Sequence, residues 1–506
     1  MITKTNTQKV SLAEKVGYSL GDGAANLVFQ MMMMFQLFFY TDVFGIKATA
    51  AGMILLVVRL SDAFIDPLAG ILADRTNTKW GKYRPWVLWT ALPFAVFFVL
   101  SFTTPDIGEK AKILYAGITY TALMALYSFN NTPYASLGGV MSSDIRERTS
   151  ISSVRFVTAT LATFIVQGLT LPLVSKFGQG EAEKGWFWTI ALYASVGFVL
   201  FIIAFLSARE RIAPPPNQKS SIKQDFRDIV SCVPWRAMFV LTLFLFVTLA
   251  MWGSAMSYYF NYYVDKSVLF NLLSQVGLTS TGDSPGGMGH KFLDAFGLIV
   301  HREDQVFAVG FSLFNMVGQL VTLAAVILLS QFLAGRFGKK KVFILCLALT
   351  AVFTGLFFFI PADQIGWIFT VNILKSLAYA PTIPLLWAMM GDVADYSEWK
   401  NNRRATGFVF AGIVFALKAG LGIGGAICGG IIDAFGFAPN VLQSDSSLFG
   451  IRLVASLVPA VTFLIGVIAL IFYPISKKVN EDIQAELSVR RALKIDIKTS
   501  LNENKI

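Results

Sequence analysis

Three charged residues lie close together inside a long apolar stretch of this sequence. Arg59, Asp62 and Asp66 are separated by three and four residues, and this spacing places them on one face of a helix. Two carboxylates side by side in an apolar surrounding repel each other unless a proton or a metal cation lies between them. The motif therefore predicts a site that is negative when empty and neutral when loaded. An internal salt bridge between Arg59 and one aspartate is the structural alternative, and it leaves the other carboxylate unpaired.

A lysine in a later apolar stretch is the natural partner for these carboxylates. Lys418 interrupts the otherwise uncharged residues 408–432, and an ammonium buried in a membrane needs a partner. Next to Asp62 and Asp66 it would compete with a coupling cation or contact a substrate hydroxyl or carboxylate. Two further cations in apolar stretches have no neighbour that the sequence can name: Lys375 and Arg452.

Polar side chains form a second group of candidates. Pro133 frees backbone carbonyls, and neighbouring amides supply donors and acceptors that suit sugar hydroxyls. Trp387 is central enough to stack on a sugar ring, although packing explains it equally well, and Arg155 either joins this group or ends a charged loop. The aromatic run at 258–263 suits an interfacial belt better than a sugar platform. The remaining polar candidates for substrate binding are Asp22, Asn26, Asn130, Asn131 and Tyr134.

The composition is that of a membrane protein. Of the 506 residues, 55% are hydrophobic and only 14% are charged, with a mean hydropathy of +0.62. Soluble domains carry about 25% charged residues. The three cysteines are dispersed and build neither a disulfide framework nor a metal site. No nucleophile–base pair and no metal cluster lies in the apolar stretches, which argues against an enzyme. We therefore expect an integral membrane protein with no cofactor.

Stretches long enough to cross a membrane recur along the whole chain. A spanning helix needs about 20 mainly apolar residues, and we predict twelve, in an all-α fold of two six-helix halves. The halves correspond to 1–207 and 236–474, with a polar linker at 208–235 and a tail at 475–506. Residues 265–305 form an insertion, which is either a cap over the outer vestibule or a variable surface loop. The predicted spans are 17–41, 49–73, 86–104, 113–137, 152–174, 187–207, 236–263, 306–333, 342–361, 366–391, 405–433 and 450–474.

The distribution of basic residues predicts the orientation. Lys and Arg collect in cytoplasmic loops, and 30 of the 42 lie on the side that carries both termini. We therefore expect a multi-pass protein of the plasma membrane, the inner membrane of a bacterium, with both termini in the cytoplasm. The net charge of +11 reflects this topology and attraction to anionic lipid. A nucleic-acid partner would need those charges on one face, and they are spread over many segments.

Similar charged turns follow corresponding spans in the two halves. The turn at 72–84 after the second span matches the turn at 333–341 after the eighth. The turn at 144–148 after the fourth span matches the segment at 392–404 after the tenth. Such parallel repeats resemble the halves of a major-facilitator fold. We expect the turns after the second and eighth spans to hold the cytoplasmic side closed.

Several segments together carry a family resemblance. The pattern at 59–67 combined with the Trp-Gly-Lys-Tyr-Arg-Pro-Trp run at 80–86 is specific, whereas either alone is weak. These segments resemble the glycoside–pentoside–hexuronide:cation symporter family, whose members include the melibiose permease and the glucuronide carrier. The resemblance covers nearly the whole chain except the insertion at 265–305. The other matching positions are 18–26, 39–43, 74–79, 392–400 and Lys418.

For the ion site, the resemblance implies that Asp62 and Asp66 bind the coupling cation. Lys418 would lie nearby, and Ser128 would add a hydroxyl ligand. Sodium-using relatives carry an amide one residue before the second aspartate, where this chain has Ile65. Sodium wants several oxygen ligands, whereas a proton needs a single carboxylate. We therefore favour a proton over a sodium ion at Asp62 and Asp66.

For the sugar site, the resemblance implies contacts from Asn26, Asn131 and Arg155. The melibiose permease has carboxylates where this chain has Asn26 and Asn131, and an aromatic residue where it has Ala135, which argues against an α-galactoside. Compared with the melibiose permease, this chain lacks two negative charges and keeps three cations, which makes an anionic sugar easier to bind. The sequence therefore leans towards uronides, including acidic oligosaccharides, or pentosides. The three cations are Arg59, Arg155 and Lys418.

The expected function is secondary active symport of a glycoside, pentoside or hexuronide into the cell by alternating access. The expected partners are the sugar, a coupling cation and the lipid bilayer, and we expect the protein to work as a monomer. One alternative is a lipid or lysolipid carrier on the same fold, whose sign would be an apolar lateral cleft in place of the amides. Another is a non-transporting sugar sensor, for which the tail at 475–506 is short.

Overall fold

A computed structural model describes residues 9–142, 144–211, 230–280, 287–401 and 406–503. These residues form helices joined by short turns, and they contain no β-strand. Most of the predicted linker lies outside the described residues, as do parts of the Gly/Ser-rich stretch of the insertion and of the charged segment at 392–404. The all-α fold class is confirmed.

Among the described residues, seven helices belong to the first half of the chain and nine to the rest. The first half holds α1 (Leu12–Met34), α2 (Gln36–Val43), α3 (Ala48–Arg75), α4 (Arg84–Leu100), α5 (Glu109–Val140), α6 (Ile145–Gly178) and α7 (Ala182–Ser207). The second holds α8 (Val233–Tyr263), α9 (Lys266–Gln275), α10 (Met288–Ala295), α11 (Gln305–Phe337), α12 (Lys339–Leu356), α13 (Ile365–Lys400), α14 (Thr406–Ala434), α15 (Asp445–Ile471) and α16 (Lys477–Glu503).

Eight helices of the described chain are long and apolar enough to cross a membrane. The count rises to nine if α1 and α2, which meet at a bend of 54°, form one broken span, and α4 is a shorter apolar helix. Helix α12 is short and begins with three lysines, and α5 is interrupted by serine and asparagine side chains. These two helices explain why composition alone does not recover all of the predicted spans. The number twelve remains a prediction.

The bundle has two ends, which we name by their position relative to the chain termini. The proximal end carries the start of α1 and helix α16, and the distal end carries the α9–α10 insertion. Between the halves, α3 packs on α14, α6 on α11 and α1 on α8. The two halves therefore meet along paired helices rather than at a single point.

Glycines allow α14 to pack closely against α3 of the first half and α8 of the second. A Cβ atom added to Gly429 would lie 2.3 Å from the carbonyl oxygen of Ala48 on α3. A Cβ atom added to Gly424 would lie 2.4 Å from the carbonyl oxygen of Val247 on α8. Small residues permit such close backbone approach in membrane helix pairs. This packing carries the middle of α14 up against α3.

At the distal end, polar side chains join the halves. We call this group the distal cluster: Thr41, Asp42, Tyr258, Tyr262 and Asn440. The hydroxyls of Thr41 and Tyr258 are 2.6 Å apart, and the Tyr262 hydroxyl donates to the Asp42 carboxylate. Asn440 donates its amide to the Asp42 carbonyl oxygen at 2.8 Å and its backbone N–H to the Tyr262 hydroxyl at 2.9 Å. The distal end is therefore closed in this conformation.

This arrangement corrects the interpretation of the aromatic run at 258–263. Tyr258 and Tyr259 are fully buried, and Tyr258 packs edge-on against Phe38 of α2. A lipid-facing belt would leave these rings exposed. The run instead seals the interface between the halves.

Removing one hydroxyl from the distal cluster should open this end. Tyr262→Phe deletes the hydrogen bond that the hydroxyl donates to the Asp42 carboxylate and the one that it accepts from the Asn440 backbone N–H. A hydrogen bond to a charged group contributes about 1.5–3 kcal/mol. We expect the equilibrium constant for closure of the distal end to fall by about tenfold or more. Spin labels on cysteines at exposed positions 110 and 442, with the native cysteines replaced, should report a new longer distance by pulsed electron resonance.

The matched control for this experiment is Tyr263→Phe. The Tyr263 hydroxyl donates to the carbonyl oxygen of Ile360 at 2.8 Å, within the second half alone. Its loss should leave the label distance unchanged. An identical response of the two variants would contradict the assignment of the distal cluster as the contact between halves.

The insertion is packed against both halves rather than loose. Leu269 and Leu273 of α9 are fully buried, and Leu269 packs against Gly310 of α11 in the second half. The Lys176 ammonium, at the end of α6, donates to the carbonyl oxygens of Asp294 and Ala295 at 2.5 and 3.0 Å. These carbonyls end α10, where a lysine side chain satisfies unpaired acceptors. The insertion therefore adds a second connection between the halves at the distal end.

At the proximal end the charged turns are held within their own halves. Glu210, at the start of the linker that follows the first half, accepts hydrogen bonds from the backbone N–H groups of Lys82 and Tyr83 at 2.9 and 2.8 Å. Lys339 pairs with Asp392 at 2.7 Å, both in the second half. We expected such turns to hold this side closed, but these contacts do not cross between halves in the present conformation.

Candidate functional site

The centre of the bundle holds an ammonium between two carboxylates. Lys418 Nζ on α14 lies 2.6 Å from Asp62 Oδ2 and 2.5 Å from Asp66 Oδ2 on α3. Ser128 Oγ on α5 donates to Asp62 Oδ1 at 2.5 Å. We call the three charged residues the Asp62–Asp66–Lys418 triad. With both carboxylates ionised and the lysine charged, the triad carries a net charge of −1.

The local sequence explains why these side chains meet. Asp62 and Asp66 are one helical turn apart, so both carboxylates leave α3 on the same side. Gly422, one turn beyond Lys418, packs against α3, where an added Cβ would lie 3.0 Å from the Arg59 Cβ. The close approach of the helices places the lysine within reach of both carboxylates. Because α3 and α14 belong to different halves, the triad links the halves electrostatically.

The two carboxylates differ in their access to water. The Asp62 side chain is 0% exposed, whereas the Asp66 side chain is 27% exposed. Thr132 Oγ1 lies 3.5 Å from Asp66 Oδ1, at the limit of a hydrogen bond. Asp66 is therefore the more accessible carboxylate of the pair.

Arg59 does not form the salt bridge that was the structural alternative. Its Nε donates to the Tyr120 hydroxyl at 3.0 Å, and its guanidinium lies 5.6 Å from the centre of the Phe29 ring. Arg59 is 4% exposed, and no ion pair to either aspartate occurs in the described part of the chain. The structure therefore leaves Lys418 as the cation that balances the aspartates.

A second group of the predicted residues meets between α1, α5 and α6. Arg155 donates to Asp22 Oδ1 at 3.3 Å, and its guanidinium lies 5.2 Å from the Tyr134 ring centre. The rings of Tyr18 and Tyr134 stack with centroids 4.6 Å apart. The Arg155 Nε is buried and has no hydrogen-bond partner among the described residues. We call Asp22, Tyr134 and Arg155 the arginine cluster.

The amides and the tryptophan are placed differently from one another. Asn26 donates to the carbonyl oxygen of Asp22 at 2.9 Å, beside the arginine cluster, and Asn131 donates to the Tyr127 hydroxyl at 3.4 Å. Asn130 is 1% exposed and donates to Thr90 of α4 at 2.8 Å, so it ties two helices of one half together. Trp387 is about half exposed and lines none of the cavities described below.

A cavity of about 370 Å³ lies between the halves, lined from α1, α6, α8, α11 and α13. We call it the central cavity. Its lining includes Gln30, Gln167, Asn315, Gln319 and Asn372, and Lys375 is its single charged side chain among the described residues. No role for Lys375 follows from the sequence alone, because the residues that surround it are distant in the chain. The signal that could identify Lys375 is the rule that an ionisable residue inside a membrane helix marks a functional site.

A lateral apolar groove also exists, between α3 and α5. It measures about 820 Å³ and is lined by apolar side chains such as Met53, Val57 and Ile118, with Thr121 the exception. Met53 and Val57 are about half exposed on the bundle surface. None of the polar candidates for sugar binding lines this groove. A lipid carrier would have such a groove in place of the polar amides, whereas this chain keeps the amides elsewhere.

The chain is a multi-pass membrane transporter of the major facilitator superfamily and not an enzyme, as its family match and its named relatives show. The chain belongs to the glycoside–pentoside–hexuronide:cation symporter family: residues 17–281 and 300–477 match the family described as MFS/sugar transport protein. The recognition made from the sequence is thereby confirmed.

Three relatives show the extent of the similarity. The chain is 35% identical over 467 residues to the inner membrane symporter YicJ of Escherichia coli, with 91% of each chain covered. It is 32% identical to the isoprimeverose transporter of Lactiplantibacillus pentosus, over 97% of this chain and 95% of that one. It is 31% identical to the glucuronide carrier protein homolog of Escherichia coli, over 96% and 97%. The family relationship covers nearly the full length of each protein.

Solved structures give the same architecture at low identity. The nucleoside transporter NupG superposes with a TM-score of 0.58 at 14% identity, covering 92% of this chain and all of that one. A structure that concerns proton dependent oligopeptide transporters superposes with a TM-score of 0.61 at 12% identity, covering 93% and 99%. At these identities the likeness shows the fold alone.

Proposed function

We propose that this protein imports a glycoside, pentoside or hexuronide by symport with a cation, using alternating access. The observation that carries the proposal is the Asp62–Asp66–Lys418 triad, in which one lysine of the second half lies between two carboxylates of the first. Relatives named as an inner membrane symporter, an isoprimeverose transporter and a glucuronide carrier homolog support a sugar as cargo. They do not favour a lipid carrier or a sensor.

The triad suggests how ion binding changes the contact between the halves. In the empty carrier the lysine pairs with both carboxylates, and this contact offsets most of the cost of keeping their charges in the apolar interior. A cation on Asp66 neutralises the site and competes with Lys418 for that carboxylate. We infer that only the fully loaded or fully empty carrier changes its access between the two sides.

A proton fits this site better than sodium. The ammonium of Lys418 already occupies the position between the two carboxylates where a metal ion would bind. The side-chain oxygens nearby in the described chain are the hydroxyls of Ser128 and Thr132. A proton needs one carboxylate oxygen, and the more exposed Asp66 supplies it. We propose proton coupling, with both termini in the cytoplasm and the monomer as the working unit.

The sugar would bind between the arginine cluster and the central cavity. Arg155, Asp22 and Asn26 offer donors and acceptors near the middle of α1, as sugar hydroxyls require. The central cavity continues from there along the same helix at Gln30. This location near the midplane, between the halves, is where transporters of this architecture hold substrate.

Uptake into proteoliposomes tests the proposal. A labelled panel of glucuronides, acidic oligosaccharides, xylosides and galactosides should be offered under an imposed proton gradient and, separately, a sodium gradient. We expect one acidic sugar or pentoside class to accumulate under the proton gradient, with no uptake of galactosides. If vesicles that contain folded protein take up none of these sugars under either gradient, the proposal is wrong.

A further inference from the structure

Lys375 faces the central cavity without an anion to balance it. Its ammonium lies 3.6 Å from the centre of the Trp252 ring, and no Asp or Glu of the described chain lines the cavity. No hydrogen bond or ion pair of Lys375 occurs among the described residues. A cation over an indole ring offsets part of the cost of burial. An unpaired ammonium in a membrane interior still needs an anion or an acceptor.

One neighbouring side chain in the described chain also presents an unsatisfied donor. Asn315 Nδ2 is buried and has no hydrogen-bond partner in the described chain. Asn315 and Gly318 are three residues apart on α11, and Gly318 packs against the side chains of Asn372 and Ser376 on α13. An amide donor and an ammonium therefore approach the same cavity from two helices. A carboxylate, which only accepts hydrogen bonds, satisfies both.

The other cations near the interface are already occupied. Arg155 is paired with Asp22, and Lys418 is paired with two carboxylates. Arg59 is bonded to the Tyr120 hydroxyl and packed on Phe29. Lys375 is the cation of the cavity that has no carboxylate, so it is the one able to recruit the acid group of a substrate.

We propose that the central cavity is a subsite for the carboxylate of an acidic sugar, with Lys375 as its counter-ion and Asn315 as a hydrogen-bond donor. The cavity volume of about 370 Å³ lies within the usual range for small-ligand sites. Gln30 lies eight residues beyond Asp22 on α1, about 12 Å along the helix, so this subsite is separate from the arginine cluster. The inference rests on the proposed function and narrows it from sugars in general to uronate-bearing sugars.

Counterflow exchange tests this inference, because it needs no ion gradient. Proteoliposomes would be given methyl glucuronide against methyl glucoside, and a glucuronosyl-xylose disaccharide against xylobiose. We expect the wild-type protein to prefer the acidic member of a pair by at least about tenfold in half-saturation concentration. Lys375→Gln should abolish that preference, and Lys375→Arg should keep it. Lys184→Gln, which removes an exposed lysine, should behave as the wild type.

The outcomes separate this inference from the proposed function. Exchange of neutral sugars with no preference for acids in the wild-type protein would overturn the carboxylate subsite and leave sugar transport standing. An acid preference that survives in Lys375→Gln would overturn the role of Lys375. Absence of exchange for every sugar, in vesicles with folded protein, would overturn the proposed function itself.

Discussion

Asp62→Asn is expected to abolish accumulation of the sugar against its gradient while sugar exchange continues. The asparagine keeps an acceptor for Ser128, and Lys418 keeps its pair with Asp66. Lys418 then has a single carboxylate to balance, Asp66, and the triad carries no net charge without a proton on that carboxylate, so the variant imitates the loaded state permanently. A carrier in that state can move sugar in both directions but has no proton to couple.

The expected size of this effect follows from the driving force. A gradient of two pH units corresponds to about 2.7 kcal/mol, or about a hundredfold accumulation at one proton per sugar. We expect this ratio to fall to about one in Asp62→Asn, measured as steady-state uptake of the labelled sugar. Asp106→Asn, in an exposed loop, is the matched control and should retain the full ratio. Undiminished accumulation in Asp62→Asn would contradict the coupling role.

Lys418→Met is expected to stop transport more completely than any substitution of a single aspartate. Without the ammonium, Asp62 and Asp66 face each other in an apolar interior, and Arg59, the other cation on this face of α3, forms no ion pair with either of them in the described chain. Removing one partner of a buried ion pair costs about 3–5 kcal/mol. We expect counterflow exchange to fall by about a hundredfold or more and the melting temperature of the purified protein to drop.

A charge-restoring double variant makes this second prediction specific. Lys418→Met combined with Asp62→Asn returns the triad to a single negative charge. We expect the double variant to recover stability and a large part of the exchange rate, although not coupled accumulation. If the double variant is as inactive and as unstable as Lys418→Met, the lysine has a role other than balancing the two carboxylates.

The part of the site that depends on local spacing can be predicted from the sequence. Asp62 and Asp66 share a face because they are four residues apart on a helix, and this holds whatever surrounds them. The pairing of Lys418 with them follows from the scarcity of other charges in the apolar stretches. The fold class and the family follow from composition, repeated turns and specific motifs, and both are confirmed.

The rest depends on contacts between residues far apart in the chain. Asn130 and Asn131 are adjacent, yet Asn130 is buried against α4 while Asn131 bonds to a tyrosine on its own helix. Nothing in their neighbouring residues separates the two. The role proposed for Lys375 depends on Trp252, which lies more than a hundred residues earlier in the chain, and on a cavity that forms only where the two halves meet.

The contacts at the distal end could not be predicted from the sequence for the same reason. An aromatic run near a helix end fits an interfacial belt by composition, but Tyr258 is buried because Thr41 of the other half lies 2.6 Å from its hydroxyl. The insertion is likewise fixed by Lys176 of the first half, whose role as a cap for α10 has no local sequence signal. Both features depend on the packing of the two halves.

Proton movement during sugar entry is the most direct test of the central claim, which is cation-coupled symport through the Asp62–Asp66–Lys418 triad. Proteoliposomes would contain a pH-sensitive dye, in sodium-free buffer with no imposed gradient, and would receive a transported sugar from outside. We predict that the vesicle interior acidifies with sugar entry in the wild-type protein and not in Asp62→Asn. Sugar entry into wild-type vesicles without acidification, at a rate that added sodium does not change, would contradict cation-coupled symport through the triad.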